Sequence, residues 1–250
     1  MVWGGLRMAV TLLTAVPLPG LAGPNAPDRR TAAAAMYWAP VVGLVLGAVA
    51  AGVLLACRAG HSGALLGAVL AVAVLAALSR GLHLDGLADL ADGLGSRRPA
   101  AQALDIMKRS DIGPFGVVTI VLTLLVQVTA LARADAIGHG PVAITVAAVS
   151  ARLAITVACR RNMPSARPDG LGALVADTVA PVGAAALVLA ALAGAAAFGL
   201  IYAAAIAFGL AVSLALTELC LRRLGGITGD VLGAIAEITT AACLLTTAFS

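Results

Sequence analysis

Polarity along this chain alternates on a long scale. Apolar runs near 36–57, 61–79, 114–132, 141–159, 180–198, 201–220 and 231–249 are separated by glycine-containing or charged stretches. A run of ~20 apolar residues is what an α-helix needs to cross the hydrocarbon core of a bilayer. Membrane β-strands would instead read as segments of roughly 10 residues alternating in polarity, and these runs do not alternate. The pattern predicts an all-α fold, a polytopic membrane helix bundle of about seven transmembrane helices plus short interfacial helices. Residues 1–250 form a single integral-membrane domain on this reading. The opening stretch MVWGGLRMAVTLLTAVPLPG carries Trp3 and Arg7 on a short apolar helix. It reads as an interfacial helix rather than a signal peptide, because Pro17 and Pro19 fall where small cleavage-site residues belong.

The connections sort by charge. Those at 19–35, 80–113, 160–179 and 221–230 hold Arg29, Arg30, Arg80, Arg97, Arg98, Lys108, Arg109, Arg160, Arg161, Arg167, Arg222 and Arg223. Those at 58–60, 133–140 and 199–200 hold Arg58 and Arg133. Alternate connections must face opposite sides of the membrane, so the positive-inside rule puts the first set in the cytoplasm. The acids follow. Asp85, Asp89, Asp92, Asp105, Asp111, Asp169, Asp177 and Asp230 fall on or just inside that face, and Asp135 falls outside. Reactive groups gathered on one side favour a site open to cytosolic substrates over a path through the membrane.

Composition sharpens the class. Hydrophobic residues make up 61% of the chain and charged residues 11%, against about 25% charged in soluble domains. The pI near 9.2 fits topology-setting loops better than nucleic-acid binding, since no basic stretch is interleaved with aromatics. The apolar bulk is small, and small residues let helix backbones approach in lipid. The alanines and glycines of 184–199 could also mediate self-association into a homo-oligomer. Cys57, Cys159, Cys220 and Cys243 lie in or beside apolar runs without CxxC spacing. They read as small hydrophobes rather than a disulfide or zinc site.

Three stretches carry candidate chemistry. In GLHLDGLADLADGLGS, Asp85, Asp89 and Asp92 are spaced i, i+4, i+7 and share one helical stripe. Three anions on adjacent turns repel, and Mg²⁺, which takes oxygen ligands and shares its shell with phosphate, is the usual remedy. A solvated acidic face is the plainer alternative. His83 suits a hydrogen-bonding partner of such a site, a phosphate contact or a general base, or a helix-start histidine satisfied by backbone. In RRLGGITGDVLGAIAE, Thr228 is a candidate N-cap with Gly229 and Asp230 in the first turn. Glu237 follows two turns later, ~10 Å along the axis. A carboxylate at that depth is costly unless paired or on a metal; Arg152, inside a predicted span, is the obvious pairing partner. In MKRSDIGPFG, Lys108, Arg109 and Ser110 precede a glycine-rich turn that suits a phosphate, or is simply a positive loop entering a span. His61 and His139 lie in the outside connections and carry no chemistry on this reading.

HLDGLADLADG, MKRSDIGPFG and GGITGDVLGAIAE together resemble the signature stretches of the cobalamin synthase family. TAVPLP and APVVGLVLG also fit, so the resemblance covers nearly the whole chain. It implies an adenosylcobinamide-GDP ribazoletransferase activity at the cytoplasmic (inner) membrane. The partners would be adenosylcobinamide-GDP and α-ribazole or its 5′-phosphate, with GMP released and Mg²⁺ required. The family's acidic motif maps onto Asp85, Asp89 and Asp92, and its second acidic stretch onto Asp230 and Glu237. A departure is Phe115, where the commoner turn has His or Tyr. Residue chemistry agrees: phosphoryl transfer needs positioning and charge neutralisation more than covalent help, with the aspartates as ligands, Glu237 as ligand or base, and Lys108 and Arg109 on phosphate. Two other classes compete. A CDP-alcohol phosphotransferase needs arginine where Asp89 stands. A transporter would place ionisable groups near the midplane on repeated broken helices, and no repeat is visible.

Overall fold

The computed structural model describes residues 2–16 and 28–249; Pro17 and Pro19 lie outside the described residues. Eleven helices run among the described residues, with no strand beyond two isolated bridges. They are α1 (Val2–Leu13), α2 (Arg29–Ala59), α3 (Ala64–Leu78), α4 (Leu82–Gly95), α5 (Ala100–Ile106), α6 (Pro114–Ala136), α7 (Gly140–Ala158), α8 (Gly170–Val175), α9 (Pro181–Ala196), α10 (Leu200–Leu224) and α11 (Gly229–Ala248).

Each of the seven predicted spans is helical, but not every one of these helices is long enough to cross a membrane on its own. Helices α2, α6, α7, α10 and α11 are long and apolar enough to cross; α3 and α9 have 15 and 16 residues. At 1.5 Å per residue, neither α3 nor α9 alone matches a ~30 Å core. Helix α3 continues into α4 after an 87° bend. Arg80 and Gly81 make that bend, both left-handed at φ 57° and 67°. Their N–H groups bond back to Ala77 and Ala76, a Schellman ending for α3. Helix α4 therefore lies across the end of the bundle instead of through it. Helix α2 also begins earlier than expected, at Arg29, capped by Asp28.

Close approach at glycine assembles the core, as expected where lipid supplies no hydrophobic drive between helices. Gly43 and Gly47 of α2 lie on the backbone of α7 at Thr145–Val149, and Gly209 of α10 meets Thr239 and Cys243 of α11. Outward-facing Leu44, Val45, Val118, Leu122, Leu125 and Leu189 remain exposed, as a lipid-facing surface requires. Helix α11 is the central element and touches α4, α6, α7 and α10.

The two ends of the bundle differ in chemistry. At one end, Arg58 of α2 pairs with Asp135 of α6 at 2.6 Å, and His139 stacks obliquely on Tyr202. At the other, Arg29 donates to the carbonyls of Ala173 and Ala176. There too, the 160–178 segment pairs with the approach to α11 through Ala166 N–H to Ile227 O and Ile227 N–H to Pro164 O, both 3.0 Å. Asp135 thus sits apart from the other acidic stretches, as the charge pattern predicts.

A candidate active site where two helices cross

The site begins with a glycine notch on each of two helices. A Cβ added at Gly86 would lie 2.8 Å from Cα and O of Asp230, and one at Gly233 would lie 3.1 Å from Cα and O of His83. So α4 and α11 cross with backbones nearly touching, and two acidic stretches 145 residues apart meet. Asp85 and Asp230 line the same recess, together with His83 and Gly229. Asp89 lies one turn further along α4, half-buried. Its carboxyl is pushed up to about 7 by burial, then by the charges of Asp85 and Asp230, with Arg167 opposing and Asp92 adding to the rise.

Asp92 has a different environment. Its Oδ2 accepts from Gly113 N–H at 2.7 Å and its Oδ1 from Gly116 N–H at 3.0 Å. The side chain is buried and caps the start of α6. The shared stripe expected from the spacing puts Asp92 beside the cluster, but the start of α6 has taken both its oxygens. The same contact brings the 107–113 segment to the site. Lys108, Arg109 and Ser110 are exposed there, available to an anion arriving from solvent.

Asp230 is held by its own cap and by a residue that charge counting treats as ordinary. Thr228 Oγ1 accepts from Val231 N–H, as the sequence predicts for an N-cap. Arg167 donates from one terminal nitrogen to Asp230 Oδ2 at 3.1 Å and from the other to Leu104 O at 3.0 Å. Its Nε is buried without a partner among the described residues. Sequence reasoning leaves Arg167 evenly placed between a substrate contact and an ordinary loop arginine, because arginines in such a loop also satisfy the positive-inside rule. The bridge between Ser165 and Ile227 is what delivers it.

Glu237 and Arg152 sit elsewhere. They line a second, nearly closed recess with Gln127, Ser79 and Leu84, deeper along α11. The ion pair expected between them is not made at contact distance among the described residues. Glu237 Oε2 instead accepts from Gln127 Nε2 at 2.8 Å, and Gln127 also reaches the Glu237 carbonyl at 3.2 Å. Arg152 is 3% exposed with its Nε unpartnered. Gln127, an amide in an otherwise apolar span, was the overlooked signal. His83 is buried at the start of α4, and burial with the nearby Arg152 charge pushes its imidazole down to about 3. It is neutral at physiological pH.

Among the described residues no three acidic, histidine or cysteine side chains are drawn into one coordination sphere. Mg²⁺ does not demand that: it binds through one or two carboxylates and completes its shell with water and phosphate. Asp85, Asp89 and Asp230 supply hard oxygen donors of the right kind, in a place whose excess negative charge a cation would relieve.

A family model described as cobalamin-5-phosphate synthase matches residues 5–248. An adenosylcobinamide-GDP ribazoletransferase of Frankia casuarinae is 46% identical, covering 98% of this chain and 94% of its own length. Proteins with the same name from Nocardioides and Chlorobaculum tepidum are 41% and 39% identical, each over 96% of this chain and 96% and 93% of their own lengths. No solved structure matches the chain.

Proposed function

Since the chain belongs to the cobalamin-5-phosphate synthase family and is an integral-membrane transferase of cobalamin synthesis, we propose that it joins adenosylcobinamide-GDP to ribazole, or to ribazole 5′-phosphate, and releases GMP. The observation that carries this reading is the α4–α11 crossing at Gly86, which sets Asp85 and Asp230 on one recess at one end of the bundle. In the reaction a ribose hydroxyl oxygen forms a bond to the cobinamide-side phosphorus of the diphosphate. The bond from that phosphorus to the bridging oxygen breaks, and GMP leaves with the bridging oxygen.

Protein groups have two tasks in such a transfer, positioning and charge neutralisation. One or two of Asp85, Asp89 and Asp230 would hold Mg²⁺, which supplies Lewis-acid neutralisation of the diphosphate when bound. Lys108 and Arg109, exposed on the segment that Asp92 holds at Gly113, would meet the diphosphate from solvent. Arg167 neutralises Asp230 and stands ready to donate to a phosphate oxygen in place of that contact. The hydroxyl proton passes to a carboxylate of the α4 stripe. Glu237 supports α11 from the second recess through Gln127 rather than meeting the hydroxyl. The charge asymmetry of the loops supports a cytoplasmic position for this end of the bundle, where nucleotide substrates are.

The test is purified protein in detergent given adenosylcobinamide-GDP, ribazole and Mg²⁺. GMP release that requires all three is the expected result. No GMP release, with solute movement across sealed vesicles, would make the protein a transporter instead.

A further inference from the structure

The recess that Asp85 and Asp230 share is acidic at its rim and apolar behind it. Its wall is Leu12 and Leu13 of α1, Met36 of α2, Ile155 of α7, and Leu171 and Val175 of α8. Its volume is about 170 Å³. An apolar cavity of roughly 150 Å³ accepts a benzene-sized ring, while drug-sized ligands need ~300–1,000 Å³. A whole nucleotide or a corrin ring does not fit.

Charge narrows the choice. No lysine or arginine lines this recess, so the phosphates of a guanine nucleotide find no partner in its interior. What fits is one neutral aromatic ring system, entered from the carboxylate side. We propose that this recess seats the aromatic base of the ribazole acceptor. The proposal rests on the ribazole-transfer reading above and adds where the acceptor binds and what selects it. With the base behind the rim, the ribose stands at Asp85 and Asp230, where its hydroxyl must meet the diphosphate. Leu171 and Val175 then determine which base is accepted, because α8 forms one wall. That wall is fixed in place: Arg29 ties Ala173 and Ala176 to α2, and Gly172 lies against the backbone of Ile227 and Thr228.

Two variants test it, Leu171→Trp to fill the recess and Leu171→Ala to enlarge it. The readouts are equilibrium dialysis of ribazole and steady-state KM for each substrate. Leu171→Trp is expected to weaken ribazole binding and raise its KM by about 10-fold or more, leaving the KM for adenosylcobinamide-GDP within about twofold; pocket methylenes are worth 10–200-fold. Leu171→Ala is expected to lose the discrimination between ribosides of benzimidazole and 5,6-dimethylbenzimidazole, by a similar ~10-fold factor. Should Leu171→Trp melt early, the Leu171→Ala preference decides. Unchanged ribazole binding in a folded Leu171→Trp protein, or unchanged preference in Leu171→Ala, overturns the proposal. Absence of GMP release by the wild-type protein is a separate failure, that of the transfer reading itself.

Discussion

The crossing of α4 on α11 invites a one-atom perturbation, Gly86→Ala. The new Cβ would lie 2.8 Å from both Cα and O of Asp230, about 0.7 Å inside the ~3.5 Å at which carbon atoms attract. Both neighbours are backbone, so no side chain can turn away and the helices must separate. Overpacking of this kind costs about 1–3 kcal/mol. Catalysis should suffer more than stability. Displacement by ~1 Å of groups that must act together costs on the order of 100-fold, so a shift of this size should lower turnover by about 10- to 100-fold. The control is Gly52→Ala on α2, where an added Cβ meets nothing within 4 Å. That change should stabilise by about 0.5–1 kcal/mol through reduced chain entropy and leave turnover alone. The assays are thermal unfolding in detergent and initial rates of GMP release. A Gly86→Ala protein with wild-type turnover would refute the claim that this contact positions the site.

Asp89→Asn should need a much higher Mg²⁺ concentration, with turnover at ordinary Mg²⁺ down by ~100-fold if it holds the ion in the transition state; a Mg²⁺ titration of rate that matches wild type would remove Asp89 from the ligand set. Asp92→Ala strands the N–H groups of Gly113 and Gly116, at about 1–3 kcal/mol for the buried Gly116 donor, and thermal unfolding should show an earlier melt that added Mg²⁺ does not restore. Gln127→Leu removes the partner of Glu237 and should cost a similar ~1–3 kcal/mol, read by denaturant unfolding in detergent. Asp135→Asn breaks the 2.6 Å pair with Arg58 at the far end. It should lower the melting temperature while the KM of both substrates stays at wild type.

What could be read from the sequence, and what could not, follows the range of each physical signal. Hydropathy is local, so all seven apolar runs are helices; the ends of α3 and α9 depend on turns at Arg80 and at Ala197 and Phe198 that a hydropathy window averages away. The 87° bend takes two successive left-handed residues, Arg80 and Gly81, and only the second is a glycine that could mark it in the sequence. The acids of both stretches stood out because carboxylates in so apolar a chain are expensive. Their division of labour did not, since spacing i, i+4, i+7 fixes which side of α4 they share but not what lies against it. Asp92 faces the start of α6, and Asp85 faces the recess. Glu237 looked like a partner for Arg152 because both are ionisable and deep. Gln127 lies nearer, and an amide carries no charge to flag it.

Arg167 shows the remaining limit most clearly. Its loop obeys the positive-inside rule, which makes any single arginine there unremarkable. The fold singles it out by pairing Ser165 and Ala166 with Ile227, three residues before Asp230. An exposed arginine on a mobile loop would contribute little to a nearby carboxylate. This one has 15% of its side chain exposed and a second donor fixed on Leu104 O, so its charge is delivered at a set place at little further entropic cost. With the cation on the 160–178 segment and the carboxylates on two crossed helices, the Arg167 side chain can turn from Asp230 to a diphosphate while both backbones stay fixed. That is the arrangement a transfer limited by positioning requires.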